Sequence, residues 1–151
     1  MTFETFRLHS AVRGLSVLVS FQIMADFIGP ALWVLNERAS VISSIARLAS
    51  NSTALALCWL AAALMVMPFV AVQLFAPECH YRRTVIKIAN YGIILGALVW
   101  VFMAFLARNL DYNFAVWNFL FNGFISLTFA ALMASGLNND QKERHHKKAC
   151  T

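Results

Sequence analysis

The chain reads as an all-α polytopic membrane protein, a four-transmembrane-helix bundle with both termini on the cytoplasmic side. Three observations lead there. Of its 151 residues, 60% are hydrophobic and only 13% are charged, about half the charged share of a soluble domain, whose water-facing surface needs those groups. The charges also fall in short clusters, separated by four nearly uncharged runs of roughly 20 residues, the length that crosses a bilayer as a helix. Finally, Lys and Arg are unevenly shared between the clusters. Arg7, Arg13, Arg82, Arg83, Lys87, Lys142, Arg144, Lys147 and Lys148 fall on one side of the alternating topology, and only Arg38, Arg47 and Arg108 on the other. The positive-inside bias makes the richer side cytoplasmic. Four spans leave no room for a separate soluble domain, so residues 1–151 form one membrane domain.

The first span covers 14–36 and follows a short basic start. A signal peptide would open the same way, but this run exceeds a usual signal core, is interrupted by Asp26, and has no small-x-small cleavage site. It is expected to stay uncleaved. Gln22, Asp26, Gly29 and Trp33 are spaced by four, three and four, so they share one helix face. Pro30 has no N–H, which deprives the Asp26 carbonyl of its helical partner and predicts a kink. An acid within a span is expensive and seldom lacks a partner.

The outer loop, 37–52, repeats Val41, Ile42, Ile45 and Leu48 at helical spacing with Ser43, Ser44 and Arg47 between them. A short amphipathic helix on the membrane surface fits that pattern, and so does a loosely ordered polar loop. The second span, 53–75, has no charged residue. Its Ala61–Ala63 run offers a close-packing face, and Pro68 predicts a bend. The turn that follows holds Pro77, which stops the helix, and the cations Arg82, Arg83 and Lys87, placed to meet lipid phosphates. Glu78, Cys79 and His80 are adjacent but lack the spacing of a metal site.

The third span, 88–107, carries Gly92 and Gly96 as a GxxxG pair, which lets another backbone come close. The contact could lie inside the bundle or between copies. A link over 108–112 leads to the fourth span, 113–137. There Asn118, Asn122 and Ser126 form a stripe at spacing four, while Trp117, Phe121 and Phe124 mark a lipid-facing side. Gly136 and the pair Asn138–Asn139 are expected to end this helix, and the basic tail 138–151 to be disordered.

Depth matching across antiparallel spans suggests an intramembrane seam. Asp26 and Asn122 both lie about nine residues from the outer end of their spans, roughly 14 Å deep at 1.5 Å per residue. Gln22 similarly matches Ser126. The expectation is that Asn122 or Asn118 hydrogen-bonds Asp26 across the bundle. Such a seam can serve purely to lock helices together or can handle a proton or cation.

Other function classes find little support in these residues. The net charge of +5 follows from topology, and the aromatics lie in apolar runs instead of beside a basic face, so nucleic acid is not an expected partner. His9, His80, His145 and His146 all flank the spans, which excludes axial haem ligation by paired histidines inside the bundle. Cys58, Cys79 and Cys150 form no CxxC and no metal set. No nucleophile–base pair or phosphate loop is visible. The reading is a small non-enzymatic protein of a bacterial-type inner membrane, with no cofactor, in contact with the lipid bilayer. It is expected to act as an accessory, regulatory or immunity-like subunit through helix–helix contacts with a membrane-protein partner or with itself. The alternative is a small oligomeric transporter or channel that couples protons or cations through Asp26.

Overall fold

The computed structural model describes the backbone of residues 3–36, 40–75 and 81–149, and the side chains of 14–36, 40–75 and 81–135. Pro77, Glu78, Cys79, His80 and Cys150 lie outside these residues, as do the side chains of Arg7, Arg13 and the basic tail. Every described element is a helix: α1 (Phe3–Leu35), α2 (Val41–Ala46), α3 (Ser52–Phe75), α4 (Arg82–Arg108) and α5 (Asn113–Ala149). Four are long and apolar enough to cross a membrane, over Gly14–Leu35, Ser52–Phe75, Arg82–Arg108 and Asn113–Ser135. This is the architecture of a multi-pass membrane protein. Neither Pro30 nor Pro68 ends its helix; α1 and α3 continue through them.

Two expectations from the sequence are corrected. The first concerns the end of the fourth span, where α5 runs through Gly136 and the Asn pair to Ala149. Gly136 lowers helix propensity by only about 1 kcal/mol relative to alanine. The stretch beyond it is rich in Gln, Lys, Glu, Arg and Ala, all good helix formers, with Asp140–Arg144 and Glu143–Lys147 at the favourable spacing of four.

The second concerns the outer loop. A helix does form there, and the reason is local. Ser40 Oγ accepts from the Ser43 N–H at 3.1 Å while Ser43 Oγ accepts from the Ser40 N–H at 3.1 Å, a reciprocal capping box. However, α2 packs on α1 and α4, with Ser43, Ile45 and Ala46 buried. Val41 and Leu48 stay exposed, as residues of the expected membrane-facing stripe would, and the departure is the burial of Ile45. The helix closes the end of the bundle with Ile45. Asn51 then caps α3, its Oδ1 accepting from the Ala54 N–H at 2.9 Å.

The long helices pack in chain order, α1 on α3, α3 on α4 and α4 on α5. Half of the most apolar stretch of α4 is buried, against 22% for α5, so α4 is the centre and α5 the most peripheral. The GxxxG pair explains how α4 takes that position. A Cβ at Gly92 would sit 2.6 Å from the Met65 Cβ and 2.8 Å from the Ala62 carbonyl oxygen of α3, and one at Gly96 would collide with the Phe27 ring of α1. Ala62 and Ala63 are buried in the same contact region, as the alanine run predicts. Gly92 and Gly96 therefore serve packing inside the chain.

This arrangement predicts that Gly92→Ala destabilises the isolated protein by about 1–3 kcal/mol through overpacking. Gly14→Ala, where a Cβ meets nothing within 4 Å, should leave the melting temperature in detergent unchanged or raise it slightly, since alanine is the better helix former. Equal melting temperatures for the two variants would refute the packing role.

Candidate functional site: the cleft between the first and last long helices

An aromatic ladder fastens α5 to the centre. Trp59 of α3 meets Trp100 of α4 with ring centroids 5.0 Å apart, and Trp100 meets Phe119 of α5 at 5.3 Å. Both are tilted arrangements within the range in which aromatic pairs gain about 0.5–1.5 kcal/mol beyond burial. Both indole N–H groups are buried without a hydrogen-bond partner. The face of α5 turned to the bundle is Ala115, Phe119, Gly123, Ser126 and Ala130. Trp117, Phe121 and Phe124 point outward, as their spacing predicts.

α1 and α5 are not among the packed helix pairs. Between their ends nearest α2 lies a cleft of about 240 Å³, lined by Trp33 of α1, by Phe114, Asn118 and Phe119 of α5, and by Val41 and Ile42 of α2. Because Trp33 and Asn118 face it, their helical neighbours extend its two walls. Asp26 lies seven residues before Trp33, two turns along the same side of α1 and about 10 Å deeper. Asn122 and Ser126 lie one and two turns beyond Asn118, about 6 and 12 Å deeper, and so bracket Asp26 in level.

Of the predicted seam residues Asn118 lines the cleft, and none of them bonds from α1 to α5 among the described residues. Gln22 Nε2 donates to Asp26 Oδ1 at 2.9 Å within α1. Among the described residues no hydrogen bond joins Asp26 to α5. Gln22 and Asn118 are exposed, Asp26 and Asn122 half-buried, and Ser126 is buried against α4. The expected bridge from Asp26 to Asn122 or Asn118 is therefore corrected, and among the described residues no hydrogen bond joins Gln22 to Ser126. Equal depth does not make two helices neighbours. Phe27, buried over Gly96, seats α1 towards α3 and α4, while the Trp100–Phe119 contact holds α5 on another side of α4. An i to i+4 amide–carboxyl bond then satisfies Asp26 locally.

The remaining polar groups sit at the ends. Arg82 and Lys87 are exposed at the start of α4, and Arg83 is half-buried with its Nη2 lacking a partner. Asn90, on the same side of α4, buries Oδ1 without a partner. A second cavity of about 330 Å³ opens at the α2 end of the bundle beside Arg47, Ser43, Ser52 and Thr53. Among the described residues no three His, Cys, Asp or Glu side chains come together.

Sequence reasoning missed the ladder and the Phe27–Gly96 contact. The signal for the ladder was present, since Trp59 and Trp100 lie within apolar runs where their N–H groups need a structural reason. For Phe27, only the glycine facing it gave a hint. No protein family, characterised protein or solved structure matches this chain. Its chemistry has to be argued from its own residues.

The ladder predicts that Trp100→Ala costs on the order of 3 kcal/mol and loosens α5 selectively. Hydrogen exchange along α5 should rise more than along α1. A uniform rise in all helices would contradict this role.

Proposed function

We propose that this chain is a small non-enzymatic protein of a bacterial-type inner membrane, with both termini cytoplasmic, acting as an accessory, regulatory or immunity-like subunit through helix–helix contacts. The observation that carries the reading is the open cleft between α1 and α5. Asn118 lines it, and Gln22 and Asp26 follow on the Trp33 side of α1 and Asn122 on the Asn118 side of α5, all within the apolar length of their helices. A polar group facing lipid costs several kcal/mol, so such a wall calls for another polar surface. The GxxxG face cannot be that surface in the folded chain, because α3 and Phe27 occupy it. The orientation rests on the Lys and Arg distribution. It puts Arg82, Arg83 and Lys87 level with cytoplasmic lipid phosphates.

A second reading keeps the same cleft and gives it transport. Asp26 is half-buried on an accessible edge with one local partner, the position a proton- or cation-exchanging carboxyl needs. One four-helix unit has little room for a pathway, so this version requires an oligomer.

Two experiments decide between these outcomes. Reporter fusions at Thr151 and Ser44 should show the first cytoplasmic and the second outside; a cytoplasmic reporter at Ser44 overturns the topology. In proteoliposomes, the wild type and Asp26→Asn should both fail to move protons or monovalent cations. Flux in the wild type that is lost in the mutant overturns the interaction reading in favour of transport.

A further inference from the structure

We infer that the surface which covers the α1–α5 cleft is the same cleft of a second copy, related by a two-fold axis along the membrane normal. This inference rests on the interaction reading above and names its partner.

Depth decides which residues can meet. Rotation about the membrane normal moves every residue sideways and none up or down. A residue of one copy can therefore meet only residues of the other at its own level. Within one copy, Asp26 lies at a level between Asn122 and Ser126 of α5, yet α1 and α5 are not among the closely packed helix pairs. A two-fold axis running just outside the cleft mouth sets α1 of each copy opposite α5 of the other, because it exchanges left and right while turning the two walls face to face. The level match that one copy leaves unused is then realised between copies.

The chemistry at that level is complementary. Asp26 offers its second carboxyl oxygen, Oδ2, beyond the one held by Gln22, and Asn122 offers an amide that both donates and accepts. Neither has a cross-helix partner among the described residues. A face made of two acids would repel itself, and one made of two amides would not need the acid. Here each wall supplies what the opposite wall lacks, and an isologous interface requires that self-complementarity.

Apolar residues extend the same match. Leu18 lies 15 residues below Trp33, and Leu132 lies about 15 residues below the middle of the cleft-lining stretch of α5, so the two share a level. Both are strongly exposed, at 66% and 63%. At the outer end Trp33, Phe114 and Asn118 already line the cleft mouth. The matched positions therefore run the length of the two helices.

The test uses full-length protein with Cys58, Cys79 and Cys150 changed to Ser. Leu18→Cys carrying one tag and Leu132→Cys carrying another are co-reconstituted in lipid vesicles and oxidised. The expected product is a disulfide-linked pair bearing both tags, while Ala131→Cys, exposed at the same level but on the flank of α5 away from Asn118, gives none with Leu18→Cys. Single-molecule photobleaching should count two copies per complex. Asp26→Leu should raise the dissociation constant on the order of tenfold, two interhelical bonds being lost per dimer. Monomers at every protein-to-lipid ratio, no pair bearing both tags, or cross-links through Ala131→Cys only would each overturn the inference.

The wider reading fails separately. A photo-crosslinker at Asn118 in native membranes that captures a different protein rejects the second copy and leaves the interaction reading standing. One that captures no protein at all rejects both.

Discussion

The structure depends on a close approach of backbones at the centre of α4. Gly92 and Gly96 lack the Cβ atoms that would strike α3 and the Phe27 ring, so α3 lies against one part of α4 and α1 drops an aromatic ring onto another. In a helix pair surrounded by apolar chains, dispersion and close packing supply the association that water supplies in soluble proteins. The two glycines thus determine which helices are neighbours. They also determine which are not: with α1 seated towards α3, its polar flank is left facing a gap.

That gap has consequences for α5. The helix is held from one side, by the Trp59–Trp100–Phe119 ladder and by small residues such as Ala115 and Ala130. Its other flanks expose aromatics and leucines suited to lipid, and one edge exposes amides that are not. A helix with an amide edge and a single packing partner is incomplete in an apolar surrounding. The same is true of the Gln22–Asp26 edge of α1, where one amide partly satisfies the acid. These two edges face one cleft, and a partner that covers it completes both at once.

Much of this was legible in the sequence. The four spans could be read from run length and charge, because a bilayer-length apolar helix is a one-dimensional signal. Close packing at Gly92, Gly96 and Ala62 was legible too, since glycine spacing reports a close approach without naming the partner. Adjacency was not legible. Depth is a count along each helix, whereas neighbourhood depends on side-chain shapes such as Phe27 against Gly96. Asp26 and Asn122 were consequently matched by depth and joined incorrectly. The fate of Ile45 was hidden for a similar reason: periodicity shows an apolar face but not whether lipid or protein covers it. The helical tail was lost by weighting one glycine above the many favourable residues that follow it.

The central claim is that α5 packs on α4 alone and leaves the Asn118–Asn122 edge open towards α1. Nitroxide labels placed singly from position 114 to 132, with one protein copy per nanodisc, would report oxygen accessibility along the helix. The expected result is one protected stripe, at positions 115, 119, 123, 126 and 130, with 118 fully accessible and 122 intermediate. Strong protection at both 118 and 122 in single copies would mean that α1 closes the bundle, and would contradict the claim.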